Sequence, residues 1–233
     1  MLKFSAQDKP DGKGFITSPV ILVVGAVIVG IVVLAVASGS FKFSGSVNVD
    51  KPSSESVSQT DDSTSVSNPA SNTGSNSKAE LSDEPYSNSD LEFSINYPKG
   101  WEVKPQSTSV NIFLPSATKG AGQADALITV SSMPVGSYKD TKLSSIGDLQ
   151  KGTIKEQFEN TQIVGEKDTK VAGLNAYEIE FTGVLGGEPI RAKYYIISND
   201  SDLLYSLIIF SAQDVWEDNQ NNFASSLDTF KAL

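Results

Sequence analysis

Residues 20–37, VILVVGAVIVGIVVLAVA, carry no charge and no strongly polar group. A helix needs roughly 20 apolar residues to cross the hydrocarbon core of a bilayer. With Pro19 at its entry and Ser38-Gly39 at its exit, the run is just long enough. A soluble buried helix of this uniformity is unusual, because globular helices keep a polar face. The run therefore predicts a transmembrane helix over 19–38 that contacts membrane lipid through residues 20–37. Lys3, Lys9 and Lys13 precede it and Lys42 follows it. The positive-inside rule then puts residues 1–18 in the cytoplasm and the rest of the chain outside the cell membrane, as a single-pass protein. Ala26 and Gly30 form one small-xxx-small pair, read as small residues in an apolar helix rather than a helix-pairing face. Ala35-Val36-Ala37 has the A-x-A pattern of signal-peptide cleavage, but the long apolar run favours retention as a signal anchor.

The composition changes after the span. Residues 39–85 are dominated by Ser, Asn, Thr and Asp, with few large apolar side chains. Such a segment buries too little surface to offset chain entropy. It reads as a disordered linker with an r.m.s. span of about 35 Å. Only residues 86–233 can build a core, and their number suits one domain. They hold 19 Asp and Glu against 12 Lys and Arg, which disfavours a nucleic-acid partner. The chain has no Cys and no His. Disulfides, thiol catalysis and thiolate metal sites are therefore excluded, and the commonest general base is missing.

Within 86–233 the opening stretch LEFSINYPKGWEV sets the pattern. Leu91, Phe93, Ile95 and Tyr97 alternate with Glu92, Ser94 and Asn96, the period of a half-buried strand. Pro98 and Gly100 make a corner, and Trp101 and Val103 resume the alternation. Further strands are expected at SVNIFLP, ADALITVSSMP, TQIVGEKDTKVAG, LNAYEIEFTG, EPIRAKYYIISN and DLLYSLIIFSA. Ile146, Leu149, Ile154 and Phe158 recur at helical spacing, with a capping box at Ser145 and Asp148. Trp216, Phe223, Leu227 and Phe230 mark one face of a last helix, with a capping box at Ser211 and Asp214. Short turns between strands favour antiparallel pairing. The fold class is α+β: mainly one antiparallel sheet sandwiched by helices.

The opening FSINYPKGWEV resembles the F-x-I-x-Y-P-x-x-W start of PsbP-like domains. The strand at Gly173 to Glu178 and the closing LLYSLIIFSAQDVWED…FASSLDTFKAL are similar to the same family. The resemblance covers residues 86–233. It implies a PsbP-like fold and a non-enzymatic binding or assembly module. The family is named after an extrinsic subunit of the oxygen-evolving complex of photosystem II and includes secreted and membrane-anchored bacterial proteins. A second resemblance, Lys13-Gly14-Phe15-Ile16 before an apolar run, is similar to a prepilin cleavage site cut between Gly14 and Phe15. It departs from that pattern at Pro19, where pilins carry Glu.

The candidate chemistry is sparse. Asn199-Asp200-Ser201-Asp202 clusters oxygens that suit a hard cation, but Asp and Asn are also favoured in turns, which is the reading taken for Asp200 and Asp202. Asn199-Asp200-Ser201 is also a formal glycosylation sequon. Asp83, Glu84, Asp90 and Glu92 read as a solvated junction, and Glu178 and Glu180 as an outer sheet face. Ser116 and Lys119 match S-x-x-K inside a Gly-rich loop without a helix behind it. Arg191, the only Arg, is expected in a cross-strand ion pair. No residue is nominated as catalytic, cofactor-binding or metal-ligating, and no cofactor is implied. The expected function is a membrane-anchored extracytoplasmic module with a protein partner. The alternative is a pilin-like subunit of a surface filament or secretion system.

Overall fold

The computed structural model describes residues 79–116, 124–199 and 202–233. The expected membrane span, the prepilin-like site at Gly14 and Phe15, and the linker up to residue 78 lie outside the described residues. Among the described residues no helix is long and apolar enough to cross a membrane.

Among the described residues, ten strands and two α-helices follow in the order β1 (Tyr86–Asn88), β2 (Phe93–Ile95), β3 (Glu102–Pro105), β4 (Val110–Pro115), β5 (Ala124–Pro134), α1 (Leu143–Gln157), β6 (Glu159–Val171), β7 (Leu174–Leu185), β8 (Glu188–Ser198), β9 (Leu203–Ala212), α2 (Trp216–Leu227) and β10 (Lys231–Ala232). The main sheet has seven antiparallel strands in the order β3-β4-β5-β9-β8-β7-β6. Strand alternation sends Tyr177, Ile179, Phe181, Tyr194 and Phe210 to one face, where Ile146 and Ile154 of α1 meet them. It sends Ile112, Ile128, Tyr195 and Ile209 to the other, under Trp216 and Phe223 of α2. A helix on each face closes two apolar layers. Each fully buried large side chain contributes about 1.5–3 kcal/mol.

One sheet was expected and two are present. β1, β2 and β10 form a separate three-stranded sheet. The physical reason is the corner at Pro98. Gly100 sits at φ +83°, and the Trp101 N–H donates to the Pro98 carbonyl at 3.1 Å, so the chain turns out of β2 and enters the main sheet as β3. Phe93 and Ile95 are buried as the alternation requires, but Ser94 is buried as well, because β2 is the central strand of its sheet.

Residues 79–85 were assigned to the linker on composition. They are instead strapped to that corner. Leu81 bridges Pro98, the Ser82 N–H donates to the Tyr97 carbonyl at 2.7 Å, and the Lys99 N–H donates to the Glu80 carbonyl at 2.9 Å. The Asn96 amide donates to the Ser82 carbonyl at 3.0 Å, and the Ala79 N–H donates to Ser225 Oγ at 3.2 Å. Polar residues make this strap through backbone pairing, which composition does not reveal.

Neither expected capping box caps a helix. α1 begins at Leu143 with Lys142 as its N-cap, so Ser145 already lies in the first turn. α2 begins at Trp216 after Val215, and Ser211 lies in β9 with its hydroxyl donating to the Ala212 carbonyl. Leu149, expected inward, is 50% exposed; Gln150 takes the buried position beside Ile146 and Ile154. Phe230 is buried as expected but lies past the end of α2, on the way into β10.

Candidate functional site

Where α2 crosses β8 and β9, an apolar cleft of about 120 Å³ opens between helix and sheet. Tyr195 and Ile209 form its floor, and Trp216, Phe223 and Leu227 form its helical wall. The wall is held by ring contacts: Trp216 lies 5.6 Å from Phe223, and Trp101 meets Phe223 edge-on at 5.8 Å. Lys193 and Gln220 stand at the cleft.

Beside it lies a charged shelf built by strand register. Glu180 of β7 is paired with Lys193 of β8, Glu178 with Tyr195, and Lys167 of β6 with Glu178. Residues paired in this way share a face, so the side chains meet. Lys193 Nζ lies 3.3 Å from Glu178 and 3.5 Å from Glu180, and Lys167 Nζ lies 3.6 Å from Glu178. Arg191 donates from Nε and Nη2 to Glu180 Oε1 at 2.8 and 2.5 Å, and from Nη1 to Glu217 at 3.3 Å. Its guanidinium also sits 5.4 Å from the centre of the Trp216 ring. Arg191 therefore joins the first turn of α2 to the sheet, and the expected cross-strand ion pair is present.

The reading of Glu178 and Glu180 as an outer face is corrected. Glu178 is 7% exposed, and the Glu180 side chain is largely covered. Their carboxylates are covered and paired with Lys167, Lys193 and Arg191. Three cations, Lys167, Arg191 and Lys193, meet three carboxylates, Glu178, Glu180 and Glu217. The shelf is thus close to neutral. Tyr195 is also drawn in. Burial, then the Glu178 carboxylate that its phenol faces, pushes its ionisation far above the usual phenol range. On the opposite face of the sheet Tyr194 is pushed up by burial too, although its contact with the Ser206 hydroxyl at 2.8 Å pulls the other way. Both phenols are neutral at physiological pH. The arrangement can seat an apolar side chain against an aromatic wall and offer paired charges at its rim.

The other sequence candidates lie apart. Asp200, Ser201 and Lys119 are outside the described residues, and the Asp202 carbonyl accepts the Val135 N–H at 2.7 Å. Asp83 and Glu84 are exposed, with Asp83 3.7 Å from Lys99. Among the described residues no three His, Cys, Asp or Glu side chains are grouped to hold a metal ion. Trp216 was not foreseen as a neighbour of Arg191, nor Tyr195 and Gln220 as lining residues of one cleft with Lys193. The available signal was the lone Arg, and the missing information was which strands stand side by side.

The fold and cleft define a two-sheet α+β domain with a helix on each face of its main sheet. Residues 21–232 match the family described as PsbP-like protein, and the chain belongs to that family. The match starts far upstream of residue 86, where the resemblance in the sequence began. Among solved structures, cyanobacterial PsbP (CyanoP) from Synechocystis sp. PCC 6803 is similar at 16% identity, over 69% of this chain and 96% of that one, with a TM-score of 0.51. LpqN of Mycobacterium tuberculosis, involved in cell envelope biogenesis, is similar at 12% identity over 65% of this chain and 90% of its own, with a TM-score of 0.48. The Saccharomyces cerevisiae Ran-binding protein Mog1p is similar at 11% identity over 66% and 96%, with a TM-score of 0.43. No curated protein matches the chain in sequence. At these identities the likeness is one of fold.

Proposed function

We propose that this chain is a non-enzymatic binding or assembly module, anchored in the cell membrane through residues 20–37, with its PsbP-like domain on the extracytoplasmic side. The observation that carries the binding role is the cleft beside α2. Its floor and helical wall are largely apolar, and the charges at its rim are bonded to one another. Such a site gains free energy by burying a partner's apolar side chain while its rim excludes water. Membership of the PsbP-like family and the uncharged run at 20–37 support the anchored form of the reading.

The test places a photo-crosslinking residue at exposed Gln220 of the full chain and irradiates it in native membranes. One dominant protein adduct is expected, and it should be lost when exposed Ala224 is replaced by Trp to fill the cleft mouth. Adducts unchanged by Ala224→Trp, or none, would overturn the cleft as a binding site. Intact mass tests the anchor separately. A full-length chain fits the module, whereas one beginning at Phe15 supports the pilin-like alternative.

A further inference from the structure

Residues 194–230 contain six Asp and Glu and no Lys or Arg. They include the whole of α2, the helical wall of the cleft. The bias is not the habit of every helix here, since α1 mixes Asp148 and Glu156 with Lys151 and Lys155. Residues three and four apart share a helix face. Gln220, Ala224 and Leu227 therefore form one stripe along the cleft, which Glu217 continues at one end and Asp228 at the other. Glu217 is bonded to Arg191. Asp214, Asp218 and Asp228 are exposed and, among the described residues, enter no ion pair. The stability of the helix accounts for only part of this pattern. Carboxylates in a first turn complement the helix dipole, which covers Glu217 and Asp218. Asp228 stands at the C-cap, where the dipole disfavours an anion, and the last turn has no basic residue to offset it.

We propose that the partner of the cleft is a basic segment of another protein, with one apolar anchor and a cation two residues to either side of it. This rests on the cleft being a binding site. Asp218 and Asp228 stand about 15 Å apart along the helix axis. In an extended peptide the side chains at i−2, i and i+2 point to one side, and the outer two are about 13 Å apart. The anchor at i enters the cleft between Tyr195, Trp216 and Phe223, and the two cations meet Asp218 and Asp228. The sheet side of the cleft does not oppose this, because Arg191 and Lys193 are already paired with Glu180, Glu217 and Glu178. Charge also decides between occupants. A second copy of the chain would bring another acidic domain, with 19 Asp and Glu against 12 Lys and Arg in residues 86–233, and like charges across an interface suppress association. Anionic headgroups are repelled by the same carboxylates.

The chain has no Cys, so Asn221→Cys on the exposed side of α2 takes a single solvatochromic dye. The full chain carrying it, in phosphatidylcholine nanodiscs, is titrated with the peptides GSKSLSKSG, GSESLSESG and GSKSSSKSG. The Lys-Leu-Lys peptide should bind about tenfold more tightly than the Glu-Leu-Glu one at low salt. Asp218→Asn with Asp228→Asn should bring those two within about twofold, as should about 1 M salt. Ala224→Trp, and loss of the Leu from the peptide, should each weaken binding. Equal affinity for the Lys and Glu peptides, or no binding of either, overturns the basic partner. A Lys preference that survives both Ala224→Trp and loss of the Leu is a general attraction of cations to an acidic surface and overturns it too. A dye already shifted in nanodiscs relative to detergent micelles, and unmoved by peptide, assigns the face to the bilayer instead. In each of these cases a crosslink at Gln220 that Ala224→Trp abolishes would still uphold the cleft, so the two readings fail separately.

Discussion

At Gly147 the absence of one carbon decides how α1 meets the sheet. A Cβ there would stand 2.5 Å from the Tyr177 ring, a separation that requires the ring or the helix to move. Glycine normally costs a helix interior about 1 kcal/mol relative to alanine. Gly147→Ala should nevertheless destabilise, because overpacking costs about 1–3 kcal/mol. Gly152, one turn and a half further on, has nothing within 4 Å of its missing Cβ, so Gly152→Ala should stabilise by about 0.5–1 kcal/mol. Urea midpoints moving in the same direction for both variants would refute this account of Gly147. Arg191 poses a different question, since one side chain joins Glu180, Glu217 and the Trp216 ring. Arg191→Met leaves Glu180 with Lys193 alone at 3.5 Å. Because the Arg191 side chain is 34% exposed, the loss should be only about 1–2 kcal/mol, below that of a fully buried pair. Arg191→Lys should recover little of it, since an ammonium neither forks onto a carboxylate nor stacks flat on indole. Denaturation followed by Trp fluorescence measures both variants, and full recovery by Lys would show that charge alone matters there.

Between elements, the link from α1 to β6 is ionic and therefore pH-dependent. Lys151 lies 2.8 Å from Asp148 on its own helix and 2.6 Å from Glu166 on β6. Hydrogen bonds to Asp148, then Glu166, hold the Lys151 ammonium well above its usual 10.5. The bond from Lys151 holds Glu166 below its usual 4.5. The two signs give two windows. The raised Lys151 stabilises fully below pH 10.5 and loses that contribution as pH rises through its folded value. The depressed Glu166 stabilises above pH 4.5 and loses its contribution as pH falls through its folded value. Glu166→Gln should therefore be less stable than wild type at neutral pH, and the gap should close in acid. The gap for Lys151→Met should persist at neutral pH, close in strong alkali, and narrow in acid as Glu166 takes up its proton. Melting temperatures across pH give the check, and a gap independent of pH would remove the ionic explanation. Much of this level was legible in the sequence. The strand ADALITVSSMP is β5 residue for residue, because Gly-containing loops and Pro134 bound an unbroken β-forming run. The caps were not legible, because S-x-x-D also occurs by chance: Ser145 sits inside α1, and Ser211 sits in the strand before α2. Nor was the cleft. Glu178 and Glu180 read as an outer face until register set Lys193 and Arg191 across from them and α2 beside them.

For the whole molecule, the question is whether residues 20–37 hold the chain at a membrane, as proposed. The formal charge is −10, so the chain as a whole has no net attraction for anionic headgroups. If residues 20–37 span the bilayer, as proposed, association is hydrophobic and should not respond to screening. About 1 M salt shortens the Debye length to about 3 Å and releases proteins held by charge. The full chain should stay in the membrane fraction through that wash and come off only in detergent. Val29→Asp puts a carboxylate near the middle of the run, which costs roughly 2.5–3.5 kcal/mol on insertion. That variant should insert less efficiently and partly appear in the soluble fraction, while the PsbP-like domain, built from other residues, keeps its β-rich circular dichroism spectrum. Release of the wild-type chain by salt alone would sink the anchor.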